Sequence, residues 1–258
     1  MLKRVFFLTF SFLWFFPLLV DARVVPNWFF HLSGGYSYWK LDELNQRIPN
    51  RRPFFNKAGA SNFSFKLLPS GHPSFDLGLR SDLGTKITIL ATFEYRQATS
   101  TNEAVTDSFR VEAVTRPRQI NFGLDGFWRL GPRGELMVGG GGGLSFARFR
   151  DDVRLFDRRA DPDSLAEFLL EKYSSLAIFG ELRAVYLLPF GLFSGQQFFV
   201  EALGRLNPIE AFIGTTNKDG NVFYDVEATY FPPGSNTARP IKLDFSGYYI
   251  GFGSNFRL

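Results

Sequence analysis

No cysteine occurs among the 258 residues. A disulfide framework, a thiolate metal site and a lipid anchor attached at a cysteine are therefore all excluded. Histidine is nearly absent, with His31 and His72 the two present, which leaves little material for acid–base chemistry. The charge excess is small, +4 at pH 7, and no basic run stands out, so nucleic-acid binding is set aside. Beyond residue 22 no apolar run approaches the roughly 20 residues that a spanning helix needs. If the chain lives in a membrane, it must do so as a closed barrel, which satisfies its backbone internally.

What the chain has in quantity is phenylalanine, 32 residues, within an aromatic content of 17%. Hydrophobic residues make up 45% of the sequence, yet mean hydropathy is −0.06. Apolar and polar residues are thus finely interleaved, as a sheet with two unlike faces requires. At the N-terminus Lys3 and Arg4 precede an apolar run from Val5 to Val20, followed by Val20-Asp21-Ala22. This pattern predicts a secretory signal peptide over 1–22, and the remaining 23–258 have the length of one domain.

The last stretch alternates most clearly. Tyr248, Ile250, Phe252, Phe256 and Leu258 fall on one face, while Tyr249, Gly251, Gly253, Asn255 and Arg257 fall on the other. The same period of two runs through 28–39, 75–80, 86–96, 120–130, 136–146, 176–188 and 198–206. Connections between these stretches alternate long and short: long at 40–73, 98–117, 151–173 and 207–240, short at 81–85, 131–135 and 189–196. An edge strand of a soluble sandwich would also alternate, but a sandwich does not give that regular order of connections. The prediction is an all-β, up-and-down antiparallel transmembrane barrel of about eight strands, with short periplasmic turns and long outer loops. Within the loops, Phe63–Leu67 reads as a strand extension. Leu165–Leu170, after Asp-Pro-Asp-Ser, reads as a short capped helix.

This pattern resembles the small bacterial outer-membrane barrel superfamily that holds the OmpA barrel, OmpX and OmpW, over the whole mature chain. The resemblance implies an outer-membrane location and contact with outer-membrane lipid and lipopolysaccharide. It also implies that Tyr248, Ile250, Phe252, Phe256 and Leu258 serve as the end signal for the barrel assembly machinery. That family's usual last residue is Phe, whereas here it is Leu258.

If the greasy face meets lipid, ionisable residues belong on the other parity, because a charge on the lipid face at mid-bilayer costs roughly 2–4 kcal/mol. Asp76, Arg80, Lys86, Glu94, Arg96, Asp125, Arg129, Glu181, Arg183, Glu201, Arg205 and Arg257 all fall there. Acids and bases nearly balance, as charges buried in a narrow barrel must. His31, also inward, is expected to be neutral and bonded to a lumen carboxylate. The His31-x-Ser33 spacing resembles that of lipid A deacylases, but it lacks the Asn that follows Ser there. The run Gly139–Gly143 lacks the Lys-Ser/Thr of a phosphate loop and reads as a place where a strand bends and bulky lumen groups find room. No metal or cofactor site is expected.

Three functions remain open: a structural or surface-interaction barrel with a protein partner at the outer loops, a narrow passage for small or apolar solutes, and a lipid A or phospholipid acyl hydrolase. The first is favoured, with no enzyme activity. Its loop contacts are expected from Arg51, Arg52, Phe54, Phe55, Arg158, Arg159, Phe223, Tyr224 and Tyr230, with packing of these residues on one another as a loop cap the alternative.

Overall fold

The computed structural model describes residues 27–258 except 160, 162, 233, 234 and 236. The leader expected over 1–22 lies outside the described residues. The strands, in chain order, are β1 Asn27–Lys40, β2 Gly71–Leu83, β3 Ile87–Gln97, β4 Ser100–Val105, β5 Phe109–Leu130, β6 Leu136–Asp157, β7 Leu165–Leu187, β8 Gln196–Leu206, β9 Pro208–Ile209, β10 Ile213–Lys218, β11 Asn221–Glu227, β12 Thr229–Tyr230, β13 Arg239–Pro240 and β14 Leu243–Arg257. Eight of them close a ring: β1, β2, β3, β5, β6, β7, β8 and β14 each pair antiparallel with the next, and β14 returns to β1. The closing register sets Phe29 opposite Arg257 and Tyr38 opposite Tyr248. The fold is an up-and-down antiparallel barrel.

The outward face carries the apolar parity. Phe122, Leu124, Trp128, Leu144, Phe146, Leu176 and Ile178 are all exposed there. The apolar spans 120–130, 136–146 and 176–186 match the roughly 9–11 residues that a tilted strand needs to cross a bilayer. Trp28, Trp128 and Tyr186 ring the short-turn end, and Tyr36, Tyr95 and Tyr248 ring the loop end, all exposed. Two aromatic girdles flanking an apolar belt are the exterior of a transmembrane barrel. Among the described residues no helix is long and apolar enough to cross a membrane.

The loop side departs from the sequence reading in three places. First, 98–117 and 151–173 are chiefly strand, so that β5, β6 and β7 rise well above the belt, joined there by β4 and β10. Second, Leu165–Leu170 is the start of β7, with Leu169 opposite Val153, and not a helix. A capping signal there lost to cross-strand pairing, because the tall sheet offers a partner for every backbone group. Third, Phe63–Leu67 is not a strand. Phe63 and Phe65 pack against Phe55, the first tilted and the second edge-on, with ring centroids 4.4 and 4.9 Å away. Phe55 belongs to a helical segment, Asp42–Arg47, Ile48–Arg51 and Arg52–Lys57, in which Leu44, Ile48 and Phe55 are buried. This segment forms a plug at the loop end of the barrel.

Candidate functional site

The lumen is stacked in layers. At the short-turn end Leu90, Phe127, Met137, Val185, Leu187 and Phe199 form an apolar floor. At the loop end Trp39, Leu41, Leu44, Ile48, Phe149, Tyr173, Phe212, Tyr230 and Phe245 belong to one buried cluster that forms a lid. Between floor and lid lies the charge layer. The up-and-down topology puts one inward residue at each level of each strand, which is how residues distant in sequence meet there.

Arg183 on β7 is the centre of that layer. Its Nη1 donates to Asp76 Oδ2 at 2.9 Å and to Glu201 Oε2 at 3.1 Å, and its Nη2 donates to Glu181 Oε1 at 3.0 Å. Its Nε lies 3.4 Å from Asp125 Oδ2. Arg205 bridges Glu181, with its Nε 2.7 Å from Oε2, to Glu94, and its guanidinium stacks on the Phe179 ring. Arg96 also pairs with Glu94, which accepts from Asn121 Nδ2 at 2.9 Å. All of these charged groups are buried. A guanidinium with donors in a rigid fork suits such multiple pairing, and pairing is what makes buried charge tolerable.

A second group sits at the short-turn rim. Arg80 pairs with Asp82 through two bonds of 2.8 and 2.9 Å, and Arg129 Nη1 reaches the same carboxylate at 2.9 Å. Asp82 reads from the sequence as part of a turn, but β2 continues through it. Two of the residues expected in the lumen are not there. Lys86 is exposed in the turn before β3, which begins one residue later at Ile87. Arg257 is exposed past the end of the lumen and bonds Asn27 Oδ1 at 3.1 Å. The C-terminal set Tyr248, Ile250, Phe252, Phe256 and Leu258 is exposed on the barrel exterior.

A third buried charge group lies in the lid, in segments that read as loops. Arg47 Nε donates to Asp151 Oδ2 at 2.9 Å, and its Nη2 donates to Glu171 at 2.5 Å. Arg51 pairs with the same two carboxylates. Burial alone would raise both carboxyls, but Arg51 and Arg47 outweigh it and hold Asp151 and Glu171 below their ordinary range. The pairs anchor the plug to β6 and β7. Arg51, Phe55 and Tyr230 are accordingly buried at the loop end, as the loop-cap alternative has it, and present no contact surface. Ala228 and Tyr230 of the 207–240 connection belong to the lid, so the separable part of that connection is the β10–β11 hairpin.

The two histidines are both buried. His31 Nδ1 bonds the Asn255 amide oxygen at 3.0 Å, where a lumen carboxylate was expected; Glu201 Oε1 lies 3.9 Å from its Nε2. Ser33 Oγ bonds Tyr249 Oη at 3.0 Å and not His31, so the pair does not form a nucleophile and its base. His72 packs on Trp39, with centroids 3.9 Å apart. The fold brings together one grouping that the sequence does not announce: ligand-type atoms of His31, Asp76 and Glu201 within 4.8 Å of one another. Arg183 is bonded to both carboxylates, so this grouping already holds a cation.

No protein-family model matches the chain. No curated protein matches it. Solved structures similar to it include a major outer membrane protein from Thermus thermophilus, 12% identical, covering 91% of this chain and 100% of its own, with a TM-score of 0.43. The Ail attachment invasion locus protein of Yersinia pestis is 10% identical over 90% of this chain and 99% of its own, with a TM-score of 0.37. The outer membrane protease OmpT of Escherichia coli is 8% identical over 90% of this chain and 96% of its own, also with a TM-score of 0.37. The fold assignment rests on the chain's own geometry. With its closed eight-strand ring, apolar belt and two aromatic girdles, the chain is a transmembrane β-barrel of the outer-membrane type.

Proposed function

We propose that the protein is a closed barrel of the outer membrane whose role is structural and interactive, exercised by the part that stands above the belt. The observation that carries this reading is the filled lumen, a buried charge layer held between an apolar floor and an apolar lid. The interacting element is the β10–β11 hairpin. Among the described strands β11 pairs with β10 alone and ends the sheet, and its Val222, Phe223 and Tyr224 are 43%, 56% and 74% exposed. An unpaired strand edge with exposed apolar side chains is a template for an extended segment of another protein, whose main chain adds to the sheet.

A photo-crosslinking amino acid placed at Tyr224 in living cells tests this reading. Discrete protein adducts are expected at 224, and none at Arg133 in the turn on the opposite rim. Equal labelling at both positions, or at neither, would remove the hairpin from the interaction.

A further inference from the structure

Directly above the apolar belt, the outward face of three neighbouring strands carries five cations. Arg116 and Arg118 lie on β5, Arg148 and Arg150 on β6, and Lys172 on β7. The register sets Arg116 opposite Arg150, Arg118 opposite Arg148, and Arg150 opposite Lys172. Like charges directly opposite each other destabilise a sheet, and here three such pairs adjoin. Arg150 has a carboxylate partner, Asp152, at 2.7 Å, but Asp152 is shared with Arg154. The side chains of Arg116, Arg118, Arg148 and Lys172 make no ion pair or hydrogen bond among the described residues, and all four are exposed. A concave pocket of about 370 Å³ is lined by all five cations.

The lumen shows how this chain treats charge elsewhere, with each buried guanidinium opposed by a carboxylate. The outer patch breaks that habit over two adjacent rungs, Arg116–Arg150–Lys172 and Arg118–Arg148. Two residues further down the same strands are Ile120, Phe146 and Ser174, and below those Phe122, Leu144 and Leu176 of the belt. A ligand that completes this surface must carry multiple negative charges at the level of the arginines and apolar chains beneath them. Guanidinium groups match phosphate oxygens with two parallel bonds. Neighbouring strands stand about 4.8 Å apart, so cations on three strands span enough width for more than one phosphate.

We propose that this patch binds the headgroup of a lipid carrying more than one phosphate, in the leaflet on the loop side, with the acyl chains of that lipid lying along β5, β6 and β7. The bound phosphates relieve the repulsion built into the register. The proposal stands apart from the hairpin reading, since it uses the outward side chains of β5, β6 and β7 instead of the edge of β11, and a different ligand.

The test uses the full-length protein in mild nonionic detergent, with diphosphoryl lipid A as the probe and retained lipid counted by native mass spectrometry. The native chain is expected to hold the lipid, the double variant Arg118→Gln/Arg148→Gln to bind at least tenfold more weakly, and Arg133→Gln at the opposite rim to bind as the native chain does. Excess inorganic phosphate should fail to displace the lipid. In lipid-free detergent the double variant should unfold at the same urea concentration as the native chain or a higher one, because a like-charge pair has been removed. Added lipid should shift the midpoint of the native chain only. Equal retention by the native chain and the double variant would overturn the proposal. So would displacement of the lipid by excess inorganic phosphate, which would assign the pocket to free phosphate.

Discussion

Replacing Arg183 with methionine is expected to lower barrel stability by about 3–5 kcal/mol, the usual result of removing one partner from a buried charge group. Methionine fills much of the space but leaves Asp76, Asp125, Glu181 and Glu201 facing one another without the cation that all four contact. Urea unfolding in lipid vesicles, followed by tryptophan fluorescence, measures the loss. A companion variant, Arg154→Met, removes a half-exposed ion pair with Asp152 and should cost under about 1 kcal/mol. A loss from Arg183→Met as small as that of Arg154→Met would mean that the lumen charges are solvated and the layer is open to water.

The second large effect is expected at Gly143. Its inward parity would point a side chain at the barrel axis, but the backbone of β5 intervenes: an added Cβ would land on the Phe122 carbonyl, and at Gly141 on that of Leu124. Neither contact can be relieved by turning a side chain, so β5 and β6 would have to separate. Gly143→Val should therefore cost about 3 kcal/mol or more, at or beyond the upper end of overpacking penalties. Gly34→Ala and Gly204→Ala are the controls, since both positions have nothing within 4 Å of an added Cβ. Heat-modifiable migration on a gel reports the folded fraction: Gly143→Val should run as unfolded chain, and the two alanine variants as native. Normal folding of Gly143→Val would show that the glycine run does not draw the two strands together.

The belt was legible in the sequence because lipid forces a rule on it. Between the girdles one parity must be apolar, so Phe122, Leu124, Leu144 and Phe146 announce a strand and Asp125, Glu181 and Arg183 announce a lumen. Above the belt water replaces lipid, and the rule lapses. β5 continues there with Arg110, Glu112, Arg116 and Arg118 outward against Val111, Ala113 and Thr115 inward, and a stretch with polar residues at most positions reads as loop. The lid charges Arg47, Arg51, Asp151 and Glu171 were hidden for the same reason, since each lies in a polar segment and only the folded plug brings them together. Lys86 and Asp82 show the limit at the other end, where the turn begins three residues later than the Ser-Asp-Leu-Gly signal suggests. The outer cations had a sequence signal in the alternate arginines 116, 118, 148 and 150. Only the register, which places them opposite one another, turns that signal into a patch.

The sealed lumen is the centre of this account, and planar-bilayer recording of the refolded protein tests it most directly. A barrel closed by Leu90, Phe127 and Phe199 below and by the lid above should insert without discrete conductance steps, at neutral pH and across the voltage range that the bilayer tolerates. Reproducible single-channel steps from the folded, heat-modifiable form would contradict it, and the passage reading would then replace the interaction reading.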